Sequence, residues 1–324
     1  MIMKNIYITR IIPQITLDML QAKGYSIDVY AKDQVPTQDE IISALQRKPY
    51  DAVISLLTDK IDSKVFDASP TVKIYANYAT GYDNIDIVEA KKRGIVVTNT
   101  PGNYAYCIAE HAIALMLGLT TRTVEANDFV RAGKYQGWSP MNFVGTDLEK
   151  KTLGLVGAGK IGERVAHHAS KGFDMNVIYY DVNRNEKIEK EFGAKYFPNV
   201  EDVLKQSDIV SLHVPLLDST HHLINEARLH MMKPGAFLIN TSRGPVIDEN
   251  ALVQALKDGT IRGAGLDVFE FEPKLAEGLA QLPNVILTPH IASARESARN
   301  EMAKIAAENV ISVLETGVAK NPVN

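Results

Sequence analysis

The sequence is poor in cysteine, with Cys107 the one thiol among 324 residues. A single thiol excludes an internal disulfide and a zinc site built from a cysteine cluster, and no metal site is predicted. An excess of positive charge is also lacking, because the formal net charge is -4. We therefore expect neither nucleic acid nor an anionic membrane surface as a partner.

Long hydrophobic runs are missing too, since no stretch reaches the roughly 18–20 residues of a membrane-spanning helix. The apolar stretch within residues 1–9 is short and interrupted by polar side chains, which is typical of a first β-strand rather than of a signal peptide. The sequence therefore predicts a cytoplasmic protein with no membrane partner.

The regular spacing of the apolar runs predicts an α/β fold. With 324 residues the protein is long enough for two domains. In the first hundred residues, short apolar runs recur every 21 to 25 positions, which fits strands alternating with helices in a doubly wound parallel sheet. Helix starts are predicted at Pro13 and Asp62 and at a capping box of Thr37 and Glu40.

One stretch, residues 152–163, carries the strongest functional motif. It begins as an apolar strand, and Gly157, Gly159 and Gly162 follow with G-x-G-x-x-G spacing. In a dinucleotide-binding turn, such glycines allow a tight bend, close approach of the backbone to a pyrophosphate, and packing of the next helix. That helix is expected over residues 160–171, with its N-terminal amides facing the phosphates.

The acid that ends the next apolar run selects the cofactor. Asp181 lies 19 residues after Gly162, near the position from which an acidic side chain binds the adenosine ribose. A carboxylate accepts hydrogen bonds from ribose hydroxyls and repels a 2′-phosphate, so NAD is favoured over NADP. Arg184, three residues later, keeps NADP open as the alternative.

Strands and helices continue to alternate after this turn, which predicts a Rossmann NAD-binding domain over residues 101–293. A later helix, opening at a capping box of Ser293 and Glu296, can cross back and pack on the first domain. We therefore expect that first domain to be flavodoxin-like and discontinuous, made of residues 1–100 plus 294–324.

The segment that joins the two domains carries two further features. A long apolar helix is expected over residues 106–131, too apolar to face solvent in a monomer, so it should pack between domains or subunits. The one tryptophan, Trp138, follows in a polar loop. A tryptophan there is usually a core plug or an interface anchor.

Ligands of doubly wound sheets bind beyond the carboxyl ends of the strands, where several polar side chains are predicted. Arg243, followed by a glycine, offers a planar fork for a carboxylate, with a surface ion pair as the alternative. His290 stands behind a proline at the last strand end, and Glu272 could orient it for proton transfer. For His213, a supporting role in the fold is favoured over catalysis.

Two other features leave alternatives open. The acids Asp267, Glu270 and Glu272 leave one strand together, and two of them could simply be solvated. The loop around Gly81 could cradle a carboxylate with its amides or be a plain strand-to-helix turn.

Together these residues resemble the D-isomer-specific 2-hydroxyacid dehydrogenase family over nearly the whole sequence, and within it the glyoxylate and hydroxypyruvate reductases. The resemblance implies a two-domain homodimer that interconverts a small 2-oxo acid and its D-2-hydroxy acid with NAD(H). Beside the glycine turn, the matching stretches are residues 78–86, 99–101, 109–110, 213–215, 242–244, 265–268, 272–273 and 288–290.

The resemblance also implies a role for each matching residue. Arg243 would bind the substrate carboxylate and carbonyl, His290 would be the acid/base, and Glu272 its partner. Further substrate contacts would be Leu57, Thr80, Gly81 and, from the neighbouring subunit, Trp138. Besides Arg243, His290 and the three glycines, the cofactor-contact positions are Lys160, Ile161, Asp181, His213, Val214, Pro215, Thr220, Thr241, Ser242 and Asp267.

The shape of the pocket decides between related substrates. Tyr104 and Tyr106 stand where related proteins often carry small or hydroxyl residues. A D-lactate dehydrogenase, or a D-2-hydroxyacid dehydrogenase for branched substrates, is therefore the alternative among enzymes. A catalytically weak NADH-sensing protein, similar to the corepressors of this family, is the alternative outside enzymes, although the complete set of Arg243, Glu272 and His290 argues against it.

Overall fold

The computed structural model describes residues 3–32 and 34–324, which form two compact units. One unit comprises the residues up to Asn103 together with Ala294–Asn324, and the other comprises Tyr104–Ser293. Each unit has its own sheet, and all pairings between named strands are parallel. The predicted class, two parallel α/β domains, is confirmed.

The first unit is built around a five-stranded sheet. Its strands are β1 (Asn5–Ile8), β2 (Ser26–Val29), β3 (Ala52–Leu56), β4 (Ile74–Tyr78) and β5 (Val96–Thr98), in the order β2-β1-β3-β4-β5. Its first helices are α1 (Gln14–Ala22), α2 (Gln38–Leu45), α3 (Ser63–Ala68) and α4 (Ile87–Lys92). Three predicted starts are confirmed: Pro13 precedes α1, Thr37 and Glu40 form the capping box of α2, and Asp62 caps α3.

The second unit is built around a seven-stranded sheet. Its strands are β6 (Thr152–Val156), β7 (Asn176–Tyr180), β8 (Lys195–Tyr196), β9 (Ile209–Leu212), β10 (Phe237–Asn240), β11 (Gly263–Leu266) and β12 (Val285–Leu287). Its helices are α5 (Ala105–Thr120), α6 (Thr123–Arg131), α7 (Lys160–Phe173), α8 (Glu186–Phe192), α9 (Val200–Gln206), α10 (Glu226–Leu229) and α11 (Glu249–Lys257). Two 3₁₀ helices, Gly244–Val246 and Leu279–Gln281, complete the unit.

The strand order of the second unit indicates where a ligand of this type of sheet binds. The order is β12-β11-β10-β9-β6-β7-β8, so the direction of the winding reverses at β6, between β9 and β7. Alternate residues of the strands feed apolar clusters on opposite faces, with Val156 and Leu238 on one and Leu155 and Ile239 on the other. Ligands of such sheets bind beyond the carboxyl ends of the strands at this reversal, and β6 there leads into the glycine turn.

The single helix predicted over residues 106–131 is wrong, because α5 and α6 are separate. Arg122 between them has a left-handed backbone, with φ 56°. The hydroxyls of Thr120 and Thr121 bond back to carbonyls one turn earlier, at 2.8 and 2.6 Å, which competes with continuation of the helix. Nine residues of α5 are buried, whereas none of the residues of α6, all of which the structure describes, is buried.

The last helix, α12 (Glu296–Thr316), belongs to the first unit, and its predicted capping box is wrong. Arg295 is the residue before the helix, and no side chain caps it. Glu296 therefore occupies the first helical position, whereas a capping box needs the acid at the third. The helix packs on α1, β3 and β4, and the buried hydroxyl of Thr16 donates to the carbonyl of Ala303 at 2.9 Å.

The C-terminal residues then join the free edge of β5. The amide of Val323 donates to the carbonyl of Val97 at 2.9 Å, and the Asn324 side chain bonds both the Val97 amide and the Ile95 carbonyl. Among the residues that the structure describes, no helix is both long and apolar enough to cross a membrane.

Candidate active site

The glycine turn after β6 has the tight packing that its motif predicts. Gly157 has φ 99°, and a Cβ added to it would lie 2.6 Å from the carbonyl oxygen of His213. A Cβ on Gly162 would lie 2.3 Å from the carbonyl oxygen of Gly157, so both positions exclude a side chain. Gly159 immediately precedes α7, and a Cβ there would meet no atom within 4 Å. This open space beside a helix N-terminus fits a pyrophosphate.

Asp181, at the end of β7, is tied to the glycine turn. One of its carboxylate oxygens accepts the Ala158 amide at 2.7 Å, and the other accepts the Asn183 amide at 2.9 Å. The side-chain amide of Asn185 donates to the Ala158 carbonyl at 2.7 Å, so the turn is held from both sides. The carboxylate thus lies beside the turn, where the motif places the ribose of a bound dinucleotide.

Arg184, the residue that keeps NADP open, is engaged elsewhere. Its guanidinium binds both carboxylate oxygens of Glu189, at 2.8 and 2.7 Å. Glu189 also accepts the Tyr179 hydroxyl at 2.6 Å. Hydrogen bonds from Arg184 and Tyr179 lower the pKa of Glu189 to about 2, so the acid that holds Arg184 is ionised at neutral pH.

His213 follows β9, and its backbone carbonyl packs against Gly157 of the glycine turn. Its Nε2 bonds the Ser211 hydroxyl at 2.9 Å, while its Nδ1 is buried and has no partner among the described residues. Burial lowers the pKa of His213 to about 4, so the imidazole is neutral at pH 7.

This histidine should make stability depend on pH. Between about pH 6.5 and pH 4 the unfolded state binds a proton that the folded state lacks, so the free energy of unfolding falls as the pH drops. We expect a loss of about 1–2 kcal/mol from this group at pH 5. Urea unfolding of the parent and of His213→Gln at pH 7.5 and 5 measures it. Equal losses in the two proteins would contradict the prediction.

The other predicted cofactor residues flank the same strand ends. Lys160 and Ile161 are the first residues of α7, exposed and half-buried. Val214 is half-buried and Pro215 is exposed in the loop after β9. The Thr220 hydroxyl donates to the Pro215 carbonyl at 2.7 Å and accepts an amide of the same loop at 2.8 Å, so it braces that loop.

The turn that carries Arg243 is shaped by a residue with no predicted role, Asn240. This fully buried side chain accepts the Ser242 amide and hydroxyl at 3.0 and 2.7 Å and donates to the Arg243 carbonyl at 2.9 Å. The Arg243 guanidinium donates to the Ser242 carbonyl at 2.8 Å. The Thr241 hydroxyl is buried and has no partner among the described residues, which fits a polar group of a bound cofactor.

Gly244 brings this turn against the loop that leads to Glu272. A Cβ on Gly244 would lie 1.9 Å from the carbonyl carbon and oxygen of Phe269, so only glycine fits. The two segments therefore meet through their backbones. The glycine of the Ser-Arg-Gly motif is the sequence signal for this contact, although spacing alone does not name the partner.

Glu272 and His290 form the predicted pair. His290 Nδ1 lies 3.1 Å from one Glu272 oxygen, and the other Glu272 oxygen accepts the Phe269 amide at 3.0 Å. Both side chains keep solvent access, 26% for His290 and 31% for Glu272. Because a carboxylate only accepts, His290 Nδ1 carries the proton of this bond, and Nε2 is the nitrogen that can serve a substrate.

For the acids at residues 267–272, the structure disfavours the alternative that two of them are simply solvated. Asp267 is fully buried, and Glu270 pairs with His222 at 2.6 Å and accepts the Glu249 amide at 3.0 Å. Burial opposes ionisation of Asp267, but hydrogen bonds from His111, from Thr288 and from two amides outweigh it and lower its pKa. All three acids are therefore held in place by specific partners.

The predicted residues of the first unit lie at neighbouring strand ends. Half-buried Leu57 directly follows β3, and Thr80 and Gly81 follow β4, the strand beside it. The carbonyls of Thr80 and Gly81 accept the side-chain amides of Asn99 and Asn77, at 2.7 and 2.9 Å. These bonds fix the loop that is predicted to hold a carboxylate.

Trp138 is 84% exposed, so it is not a core plug, one of the two options that its sequence context left open. Of the two tyrosines that depart from the family pattern, Tyr104 is buried and Tyr106 half-buried.

Comparison with known proteins defines the class. Residues 113–292 match the family model of the D-isomer specific 2-hydroxyacid dehydrogenase, NAD binding domain. The protein is therefore an oxidoreductase that acts on the CH–OH group of donors with a nicotinamide cofactor. It belongs to the D-isomer-specific 2-hydroxyacid dehydrogenase family, as the resemblance predicted.

Individual relatives agree over the full length. The sequence is 47% identical to a glyoxylate reductase of Thermococcus litoralis, covering 99% of this protein and 96% of the relative. The structure superposes on a solved Thermus thermophilus protein with a TM-score of 0.91 at 38% identity, covering 99% and 100% of the two. It also matches an NADPH-dependent glyoxylate/hydroxypyruvate reductase from Sinorhizobium meliloti, solved with NADP and malonate, with a TM-score of 0.85, 32% identity and coverage of 99% and 96%.

Proposed function

We propose that this enzyme reduces glyoxylate, and with it hydroxypyruvate, to the corresponding 2-hydroxy acid, using NADH. The observation that carries the proposal is the 3.1 Å contact between His290 and Glu272 in the unit that also holds the glycine turn. The glyoxylate reductase relatives, nearly half identical over their whole length, support the choice of substrate.

Each residue of the proposed site has one task. Arg243 binds the substrate carboxylate with its planar fork and stabilises charge on the carbonyl oxygen. His290 donates the proton that this oxygen takes up, from Nε2, while Glu272 keeps Nδ1 protonated and the ring oriented. The nicotinamide, when bound, supplies the hydride. In the first unit, Leu57, Thr80 and Gly81 are the proposed further substrate contacts.

A substrate panel tests the proposal. We expect kcat/KM to be highest for glyoxylate and hydroxypyruvate among these two, pyruvate and branched 2-oxo acids. A preference for pyruvate or for branched acids would replace the proposal with a dehydrogenase of D-lactate or of branched 2-hydroxy acids. Saturable NADH binding with negligible turnover of every acid would replace it with an NADH-sensing protein.

We further propose NAD rather than NADP as the cofactor. The Asp181 carboxylate at the glycine turn would repel a 2′-phosphate, and Arg184 is held by the ionised Glu189. Because the Sinorhizobium meliloti reductase is NADPH-dependent, the cofactor preference has to be measured for this enzyme directly.

The Asp181→Asn variant should shift the preference towards NADPH. Asparagine still accepts the Ala158 amide but removes the negative charge, so the ratio of kcat/KM for NADPH to that for NADH should rise at least about tenfold. Adding Glu189→Gln, which releases Arg184, should raise it further. Steady-state kinetics with both cofactors measure the ratio, with the parent protein as the reference. An unchanged ratio in both variants would contradict the assignment.

We also propose that the enzyme is a homodimer through the segment around α6. Five side chains there are more than half exposed, namely Val130, Tyr135, Trp138, Met141 and Val144. A groove of about 830 Å³ adjoins them, lined by Phe129, Phe143, Val285 and Ile286 among others. So much exposed apolar surface in one segment is typical of a protein interface.

Sedimentation should therefore give twice the monomer mass, and Trp138 fluorescence should shift to longer wavelength on dilution. Because Trp138 is the one tryptophan, the signal reports this segment alone. A monomer at micromolar concentration, with a solvent-exposed emission spectrum, would refute the dimer.

A further inference from the structure

The turn that presents His290 is held in an unusual conformation. His290 has φ 54°, in the left-handed region that residues other than glycine rarely occupy. Such a conformation persists only where the surroundings fix it. The groups that fix this turn therefore decide where the imidazole lies.

Most of the bonds that fix this turn end on one residue, Asp267. The His290 amide donates to the Asp267 backbone carbonyl at 2.9 Å. The amides of Ile291 and Ala292 donate to its two carboxylate oxygens, at 2.9 and 2.8 Å. The Thr288 hydroxyl donates to one of these oxygens at 2.6 Å. The buried carboxylate thus binds two backbone amides after His290 and the Thr288 side chain before it.

A second element reaches this carboxylate through His111. This residue lies in α5, is 9% exposed, and has its Nε2 at 3.0 Å from the Thr288 hydroxyl and 3.2 Å from Asp267 Oδ1. Thr288 has one hydroxyl proton, and the shorter bond gives it to Asp267. Both neighbours of Nε2 are therefore acceptors, so Nε2 carries a proton and donates to them.

We propose that His111 is a positioning residue for catalysis, which acts on His290 through Asp267 and Thr288. The inference rests on the proposed role of His290 as the acid. His111 supplies a donor that Asp267 and Thr288 share, and its loss leaves a buried carboxylate with one donor fewer. The carboxylate and the hydroxyl then re-pair, and the turn loses the geometry that aims His290. Misplacement of a catalytic group by about 1 Å can slow a reaction about a hundredfold.

Two substitutions at His111 separate positioning from folding. Leucine fills a similar volume but cannot donate, whereas glutamine can place an amide N–H near the position of Nε2. We expect His111→Leu to lower kcat with glyoxylate about 10- to 100-fold, with KM for glyoxylate changed less than about threefold. His111→Gln should recover most of kcat. His230→Gln, an exposed histidine of the same unit, should match the parent.

A second variant keeps the test decisive if His111→Leu folds poorly. Thr288→Val removes the shared hydroxyl while keeping the shape of the side chain. Because Thr288→Val breaks the same network without changing α5, it should by itself lower kcat with KM little changed, and a Thr288→Val variant with normal kcat would refute the positioning role. Thermal unfolding of each protein shows whether loss of kcat merely follows loss of stability.

The outcomes separate this inference from the proposed function. If His290→Gln abolishes turnover but His111→Leu keeps kcat within threefold of the parent, the positioning role is refuted and the acid role stands. The positioning role is also refuted if His111→Leu and His111→Gln lose kcat equally and the loss of kcat parallels the loss of thermal stability. If the His290→Gln variant keeps the kcat of the parent, the proposed acid role of His290 is refuted, and with it the proposed function.

Discussion

The His290→Gln variant should reduce glyoxylate about 10²- to 10⁴-fold more slowly than the parent, with NADH binding little changed. Glutamine can bond Glu272 as the histidine does, at 3.1 Å in the parent, but its amide N–H is too weakly acidic to transfer a proton to the carbonyl oxygen. General acid catalysis by a placed side chain typically contributes a factor of this size. Single-turnover kinetics with saturating NADH measure the chemical step directly.

A second histidine–glutamate pair supplies a matched control. His222 bonds Glu270 at 2.6 Å, in the same loop that carries Glu272, but it has no proposed contact with substrate. His222→Gln should therefore keep kcat within a few fold of the parent. Comparable losses in the two variants would show that the loop, rather than the acid, is what both substitutions damage.

Arg243→Lys should lower kcat/KM for glyoxylate about a hundredfold or more, although it keeps the positive charge. Lysine offers a point charge in place of a planar fork, so it cannot bind a carboxylate through two parallel bonds. It also loses the bond to the Ser242 carbonyl at 2.8 Å that orients the guanidinium. Arg243→Ala should be slower still, and added guanidinium should restore part of its activity.

The control for Arg243 is Arg262→Lys, which changes an exposed arginine that lies over the Phe237 ring. It should leave kcat/KM unchanged. A near-normal kcat/KM for Arg243→Ala would remove Arg243 from the substrate site, and the carboxylate would then need another cation.

Most of the fold could be predicted because the spacing of apolar residues and the backbone freedom of glycine determine structure over short stretches of sequence. The run into Gly157 predicted a strand, turn and helix, and the structure has β6, the turn and α7. The break at Arg122 was not predicted, because no glycine or proline stands beside it in the sequence and the interruption depends on hydroxyls bonding back to the helix. The start of α12 was missed because Ser293 and Glu296 have the spacing of a capping box without its backbone conformation.

The candidate site divides in the same way. Residues with distinctive chemistry at strand ends, such as Arg243 and His290, could be found from the sequence. Residues that act through buried hydrogen bonds could not, because Asn240 and His111 look like ordinary residues of a strand and an apolar helix. Their partners can lie far away in the sequence, 177 residues in the case of His111 and Thr288, and only the folded structure pairs them.

The return of α12 to the first unit sets an order for folding during synthesis. Thr16 bonds the carbonyl of Ala303, and the β5 amide of Val97 bonds the side chain of Asn324, so these early segments complete their contacts only after residues 303–324 have left the ribosome. The second unit is one continuous segment, Tyr104–Ser293, and can be complete before that moment. The nascent polypeptide should therefore acquire its nucleotide-binding half first. A newly made molecule could therefore bind a dinucleotide before its other half has its full set of contacts.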